Sequence, residues 1–169
     1  MKSKLIFLAV LLSVLLHSAW AQDKANVKFG DVSEKHFINK IYSIDSNANA
    51  VVIADIGSSR IEGNTKGWFS LVYKHFKRVH ILNKNGYDIA NVSISLYSDG
   101  DDEEELDKLR AVTYNLENGK VVETKLDVKS NVFKDKISKN LVVRKFTFPN
   151  VKEGSIIEYE YSITSDYLT

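Results

Sequence analysis

Apolar and polar positions alternate through much of the chain at the two-residue period of a strand buried on one face. Ala90, Val92, Ile94 and Leu96 share one parity against Asn91, Ser93 and Ser95. Near the end Ile157, Tyr159, Tyr161 and Ile163 point inward, which sends Glu158 and Glu160 toward water or toward a neighbour. Residues 110–117 and 120–127 flank Asn118-Gly119, and this predicts a hairpin, because a type I′ turn needs positive φ at both central positions. Asn85-Gly86 predicts a second hairpin between residues 68–82 and 90–96, the first of these with a bulge near residues 74–77, where the apolar parity changes. Residues 141–148 and 155–164 form a third expected pair, turning through Pro149 and Glu153-Gly154. Residues 50–56, AVVIADI, predict a short buried strand closed by Gly57-Ser58-Ser59. Asp31 with Glu34 three residues on predicts a short helix over residues 32–37. Residues 129–139 read as a loop or short helix. The sum is an all-β, mainly antiparallel fold: a two-sheet β-sandwich with a short N-terminal helix, or alternatively a partly open β-barrel.

The start of the chain breaks this pattern. Lys2 and Lys4 precede an apolar run at residues 5–16, and Ala19-Trp20-Ala21 supplies a small-x-small site, the three zones of a signal peptide cleaved after Ala21. His17 and Ser18 stop the run short of the roughly 20 residues a membrane span needs. The expected organisation is a signal peptide at residues 1–21, a polar tail at 22–26 and a β domain at 27–168. The expected address is the periplasm or the extracellular space, with no membrane span after cleavage. Of 23 basic residues, Lys2 and Lys4 leave with the signal, so 21 face 22 acidic ones, a balance that argues against a nucleic-acid partner. The chain has no cysteine, hence no disulfide, thiol nucleophile or thiolate metal site.

Candidate chemistry is sparse. The acidic run Asp99-Gly-Asp-Asp-Glu-Glu-Glu105 has the oxygen ligands of a calcium site, but Gly100 stands second where an EF-hand loop has its glycine sixth. Its other reading is a solvated loop feeding a short helix at residues 103–109. His75 and His80 lie on opposite faces of a regular strand, and His36 has no partner at a legible spacing. Glu158 and Glu160 share a strand face at roughly 7 Å, a separation that invites comparison with glycosidase carboxylates, though alternation alone produces it. No nucleophile elbow or phosphate loop is present. The reading is therefore no catalytic, cofactor-binding or metal residues. Exposed aromatics are the better lead: Trp68, Tyr87 and Tyr97 as a platform for a sugar or peptide.

The pieces AVTYNLENGKVVETKL and FTFPNVKEGSIIEYEYSITSDYL, with the Asn-Ala-x-Ala-Val-Val segment at residues 47–52, carry a resemblance. They resemble the domain of unknown function that follows the signal peptide in bacterial envelope proteins whose next domain is a transglutaminase-like, papain-related core. The resemblance implies a β-rich domain and, as partner, a C-terminal catalytic domain with a Cys–His–Asp arrangement. None of those catalytic residues can be placed on this cysteine-free sequence. The implied role is a non-catalytic module that docks an envelope polymer or protein, or scaffolds the core. A free-standing carbohydrate- or peptide-binding sandwich is the alternative.

Overall fold

The computed structural model describes residues 27–38, 42–43 and 45–167. The expected signal peptide, the polar tail and Leu168 lie outside the described residues. Among the described residues eight strands form two antiparallel sheets: β1 (Ala50–Gly63), β2 (Phe69–Ile81), β3 (Asn91–Tyr97), β4 (Glu105–Glu117), β5 (Lys120–Lys125), β6 (Phe133–Ser138), β7 (Leu141–Thr147) and β8 (Ile156–Ser165). The larger sheet has the order β1-β2-β8-β4-β5 and the smaller β3-β7-β6. This is the two-sheet sandwich, not the barrel.

Between the sheets lie Val79, Ile81, Val92, Ile94, Leu96, Ala111, Val142, Phe146, Phe148 and Ile157, with Tyr159, Tyr161 and Ile163 packed against them. Each large side chain sealed here contributes roughly 1.5–3 kcal/mol of transfer free energy. The inward parity of β3 and β8 is as the alternation predicts, and Asn118 (φ 51°) and Gly119 (φ 74°) turn the β4–β5 hairpin in the left-handed region.

Several expectations are corrected. Asn85-Gly86 does not turn a hairpin: it sits in a 3₁₀ helix, Lys84–Ala90, that carries the chain from β2 in one sheet to β3 in the other. Gly86 serves close approach, since a Cβ there would collide with the Asn49 carbonyl, which accepts Leu82 N–H at 2.9 Å. The third pair is likewise a crossover, with β7 in the small sheet and β8 at the centre of the large one. The bulge lies in β1, between Val52 and Ala54, and β2 pairs regularly. β1 is not a short buried strand: it runs on through Gly57-Ser58-Ser59 to Gly63, exposed along most of its length at the sheet edge. No helix forms at 103–109, where β4 begins at Glu105, and residues 129–139 hold one helical turn, Val128–Asn131, and strand β6. The N-terminal helix is a single 3₁₀ turn, Glu34–Phe37, starting after Ser33 in place of Asp31.

The segment before β1 lies on the outer face of the large sheet. Phe37, Phe29 and Val32 pack there with Val112, Tyr114 and Ile156, and the Arg110 guanidinium lies 3.9 Å over the Phe29 ring. Beneath it Glu158, with no exposed surface, faces Arg78 across the β2–β8 pair. Its carboxylate accepts from Arg78 Nε at 2.8 Å, Tyr114 Oη at 2.7 Å and Gly30 N at 2.6 Å. Glu158 thus faces neither water nor an outside neighbour but the chain's own N-terminal segment.

His80 is buried on the same face, its Nδ1 3.0 Å from Tyr42 Oη and its ring edge-on to Phe37. Burial lowers its pKa below the ordinary 6.5 by desolvating the charged ring. The folded state then binds the proton less tightly than the unfolded chain. The stability held by the neutral ring is present above pH 6.5 and is lost as pH falls through the depressed folded value. Urea midpoints measured from about pH 8 down to about pH 5 are expected to decline, and His80→Gln is expected to flatten the decline.

Candidate functional site

The central strand β8 delivers the chain to one end of the sandwich, where three segments converge. The first is the tip of the β1–β2 hairpin, locked by Asn64: its Oδ1 accepts from Lys66 N at 3.1 Å and Trp68 N at 3.0 Å. The second is the β3–β4 connection, where Asp99 Oδ1 accepts from Asp101 N at 3.1 Å and Asp102 N at 2.9 Å. The third is the end of β8 itself. Asp166 receives Lys66 Nζ at 2.8 Å, Asn64 Nδ2 at 3.4 Å and the Ser70 hydroxyl. These donors, Lys66 first, hold the Asp166 carboxyl below its usual pKa, and the Asp166 bond raises that of Lys66. The ring of Tyr167 meets Tyr97 edge-on at 4.7 Å.

The three segments enclose a cleft of about 420 Å³ whose lining includes Glu62, Lys66, Asp102, Glu103, Asp166 and Tyr167. Apolar side chains stand exposed at this end: Trp68 at 75% and Phe69 at 60%, with Tyr97. Glu103 is neutralised by Lys134 at 2.5 Å and Arg144 at 2.7 Å, which holds its carboxyl below the usual range. The Lys66–Asp166 pair and the Lys134–Glu103–Arg144 cluster fix the positions of these charges.

Trp68 and Tyr97 stand at this end. Tyr87 does not: it lies in the 3₁₀ helix beyond the far end of the 13-residue β2, roughly 40 Å from Trp68 at ~3.3 Å per residue. It packs against the core, so the three residues do not make one platform. The two glutamates also separate in role, Glu158 sealed and Glu160 paired with Arg110 at 2.6 Å. His75 and His80 point to opposite faces, as the spacing requires, and His36 Nδ1 accepts from Ser33 N at 2.9 Å. In the acidic run Asp99, Asp102 and Glu104 accept from backbone amides and Glu103 pairs with Lys134 and Arg144, and among the described residues no three His, Cys, Asp or Glu converge as metal ligands. The sequence offered no signal for Asn64, Lys66 and Asp166, polar residues brought together from positions about a hundred apart.

The fold places the chain among antiparallel two-sheet β-sandwich domains. Residues 69–168 match the model of DUF3857, a domain of unknown function with a solved structure, and the chain belongs to this family. The matched part starts at β2, so β1 and the N-terminal segment precede it. Among solved structures, the chain resembles a crystal structure described as a putative protease from Parabacteroides distasonis ATCC 8503, at 16% identity and a TM-score of 0.52. The likeness covers 70% of this chain and 23% of that one, and it concerns the fold. No curated protein matches.

Proposed function

We propose that this domain is a non-catalytic sandwich module of an exported protein. In this reading it docks substrate for, or steadies, a transglutaminase-like core that follows β8 in the same polypeptide. The observation that carries the reading is the end of β8, where a network of paired polar groups fixes Asp166 beside a cleft and exposed Trp68 and Phe69. Large apolar side chains exposed together, as Trp68 and Phe69 are, mark an interaction surface, with the paired charges beside them as a polar rim. The solved protein of similar fold supports the reading, since the likeness occupies 23% of its length, as expected of one module in a larger chain. Glu158 is sealed inside the fold, which speaks against hydrolysis by the Glu158 and Glu160 pair. The test is the reading frame beyond Thr169. It is expected to continue into a domain carrying Cys, His and Asp, and a stop codon directly after Thr169 overturns the proposal.

A further inference from the structure

The two sheets differ in width, and the difference leaves a vacancy. A hollow of about 230 Å³ is lined by Lys77, Val79, Ile157 and Tyr159 on the large sheet and by Val92 and Ser93 of β3. This sets β3 over the β2–β8 seam, so among the described residues β1 has no strand opposite its inner face. That face carries Val52, Asp55, Gly57, Ser59 and Ile61, paired with Val79, Lys77, His75, Tyr73 and Leu71 of β2. All five β1 residues are exposed. The floor beside them is aromatic and internally neutralised. His75 stacks on Tyr73 at 6.0 Å and meets Tyr161 at 5.2 Å, while Asp55 holds His75 Nε2 at 2.7 Å and Lys77 Nζ at 2.9 Å. Tyr73 lies across Gly57, where a Cβ would stand 2.8 Å from its hydroxyl.

The strand that borders this vacancy has an open edge. Phe148 N–H bonds Ala90 O at 3.0 Å. Antiparallel alternation along the β3–β7 register then turns the backbone groups of Val92, Ile94 and Leu96 toward β7 and those of Asn91, Ser93 and Ser95 away from it. Tyr97, at the end of the row, is taken by Glu104, whose carboxylate accepts Tyr97 N–H at 2.8 Å. The other edge strands carry the usual guards against pairing. β1 has a bulge and charges at Asp55, Arg60 and Glu62; β5 has Lys120, Glu123 and Lys125; β6 has Lys134, Asp135, Lys136 and a bulge. β3, NVSISLY, has no charge, proline or bulge.

We propose that β3 accepts an extended segment of a partner polypeptide as a fourth strand of the small sheet, laid over the inner face of β1. A second copy of the chain does not fit. Strands lie ~4.8 Å apart, so a twofold axis relating two paired β3 strands stands ~2.4 Å beyond each. With β3 over the β2–β8 seam, β1 stands about one and a half strand spacings beyond it, and the two β1 strands would interpenetrate. A lone strand fills the space. Its backbone bonds Ser93 and Ser95, its inward side chains are apolar to suit Tyr73, Gly57 and Val52, and its outward ones are polar. A single alternating peptide meets both demands, and Asp55 already pairs with Lys77 and His75, so it calls for no charged inward residue. This site stands on β1 and β3, not on the cleft at the end of β8, so its failure leaves the docking proposal standing and the converse holds too.

The probe is an octapeptide of alternating Val and Thr with one flanking lysine at each end, titrated into the purified chain while amide hydrogen exchange is followed by NMR. Exchange at Ser93 and Ser95 is expected to slow on binding, with Val92 and Ile94 unchanged. A peptide N-methylated on the two amides that face β3 is expected to bind about tenfold more weakly. Ser95→Pro removes one edge donor without touching the β7 ladder, a position where strands tolerate proline, and is expected to weaken binding similarly. No binding at millimolar peptide, or binding that spares Ser93 and Ser95 or ignores both N-methylation and Ser95→Pro, overturns the proposal.

Discussion

Arg78→Met is expected to lower the unfolding free energy by about 3–5 kcal/mol, because it leaves a fully buried carboxylate without its cation. Glu158 has no exposed surface, and the Arg78 guanidinium reaches it at 2.6 Å while also donating to Lys28 O at 2.8 Å. Tyr114 and Gly30 supply two further donors but no charge. The Tyr114 hydroxyl, desolvated and bonded to Glu158, has its pKa raised and so stays a donor across the usual pH range. Urea unfolding at constant m measures the loss. The double variant with Glu158→Leu is expected to be less destabilised than the sum of the two single changes, since the uncompensated charge leaves with its partner. A loss below about 1 kcal/mol for Arg78→Met would place this pair in the range of solvated surface pairs and contradict the sealing role of the N-terminal segment.

Phe148→Ala is expected to cost a similar amount, about 3–5 kcal/mol, by opening a cavity between the sheets. Phe148 is buried against Phe146 at 5.6 Å and Tyr159 at 6.0 Å, and it bonds back to Ala90 as the chain leaves the small sheet. The residues after it make the crossover rigid. Asn150 (φ 55°) and Gly154 (φ 82°) take left-handed conformations. Ser155 Oγ donates to Asn115 Oδ1 at 2.5 Å and accepts Lys152 N–H at 2.8 Å, while Asn115 Nδ2 donates to Asn150 O at 3.0 Å. The phrase FPNVKEGSIIEY is therefore the joint between the sheets. Thermal unfolding checks the prediction, and an unchanged midpoint would mean that the joint does not hold the sheets together.

Strand positions were legible because alternation is a local property. β3, β4, β5, β7 and β8 lie close to where parity placed them, and Asn118-Gly119 turns where its backbone preference demands. Sheet membership was not legible. Asn85-Gly86 and Glu153-Gly154 have turn chemistry, yet turn chemistry says only that the chain changes direction, not whether the next strand pairs beside the last or opposite it. The role of Glu158 was hidden for a related reason. Parity put it on the outer face correctly, but nothing in residues 155–164 records that Phe29 and Phe37 cover that face. β6, FKDKIS, is exposed throughout and carries only weak alternation, so it reads in the sequence as a loop or short helix. Of the candidate site, Trp68 and Tyr97 were visible as aromatics at strand ends. The cleft beside them depends on contacts from Asn64 and Lys66 to Asp166, which no local pattern encodes.

The docking role of the end of β8 is tested most directly at Trp68, which stands 75% exposed beside the cleft. The protein is labelled with 5-fluorotryptophan, the Trp68 resonance is assigned by Trp68→Phe, and its fluorine solvent-isotope shift is compared in residues 22–169 and in the product of the whole reading frame. A full solvent shift is expected in the shorter form and its loss in the longer one. A Trp68 resonance equally solvated in both would contradict the docking role.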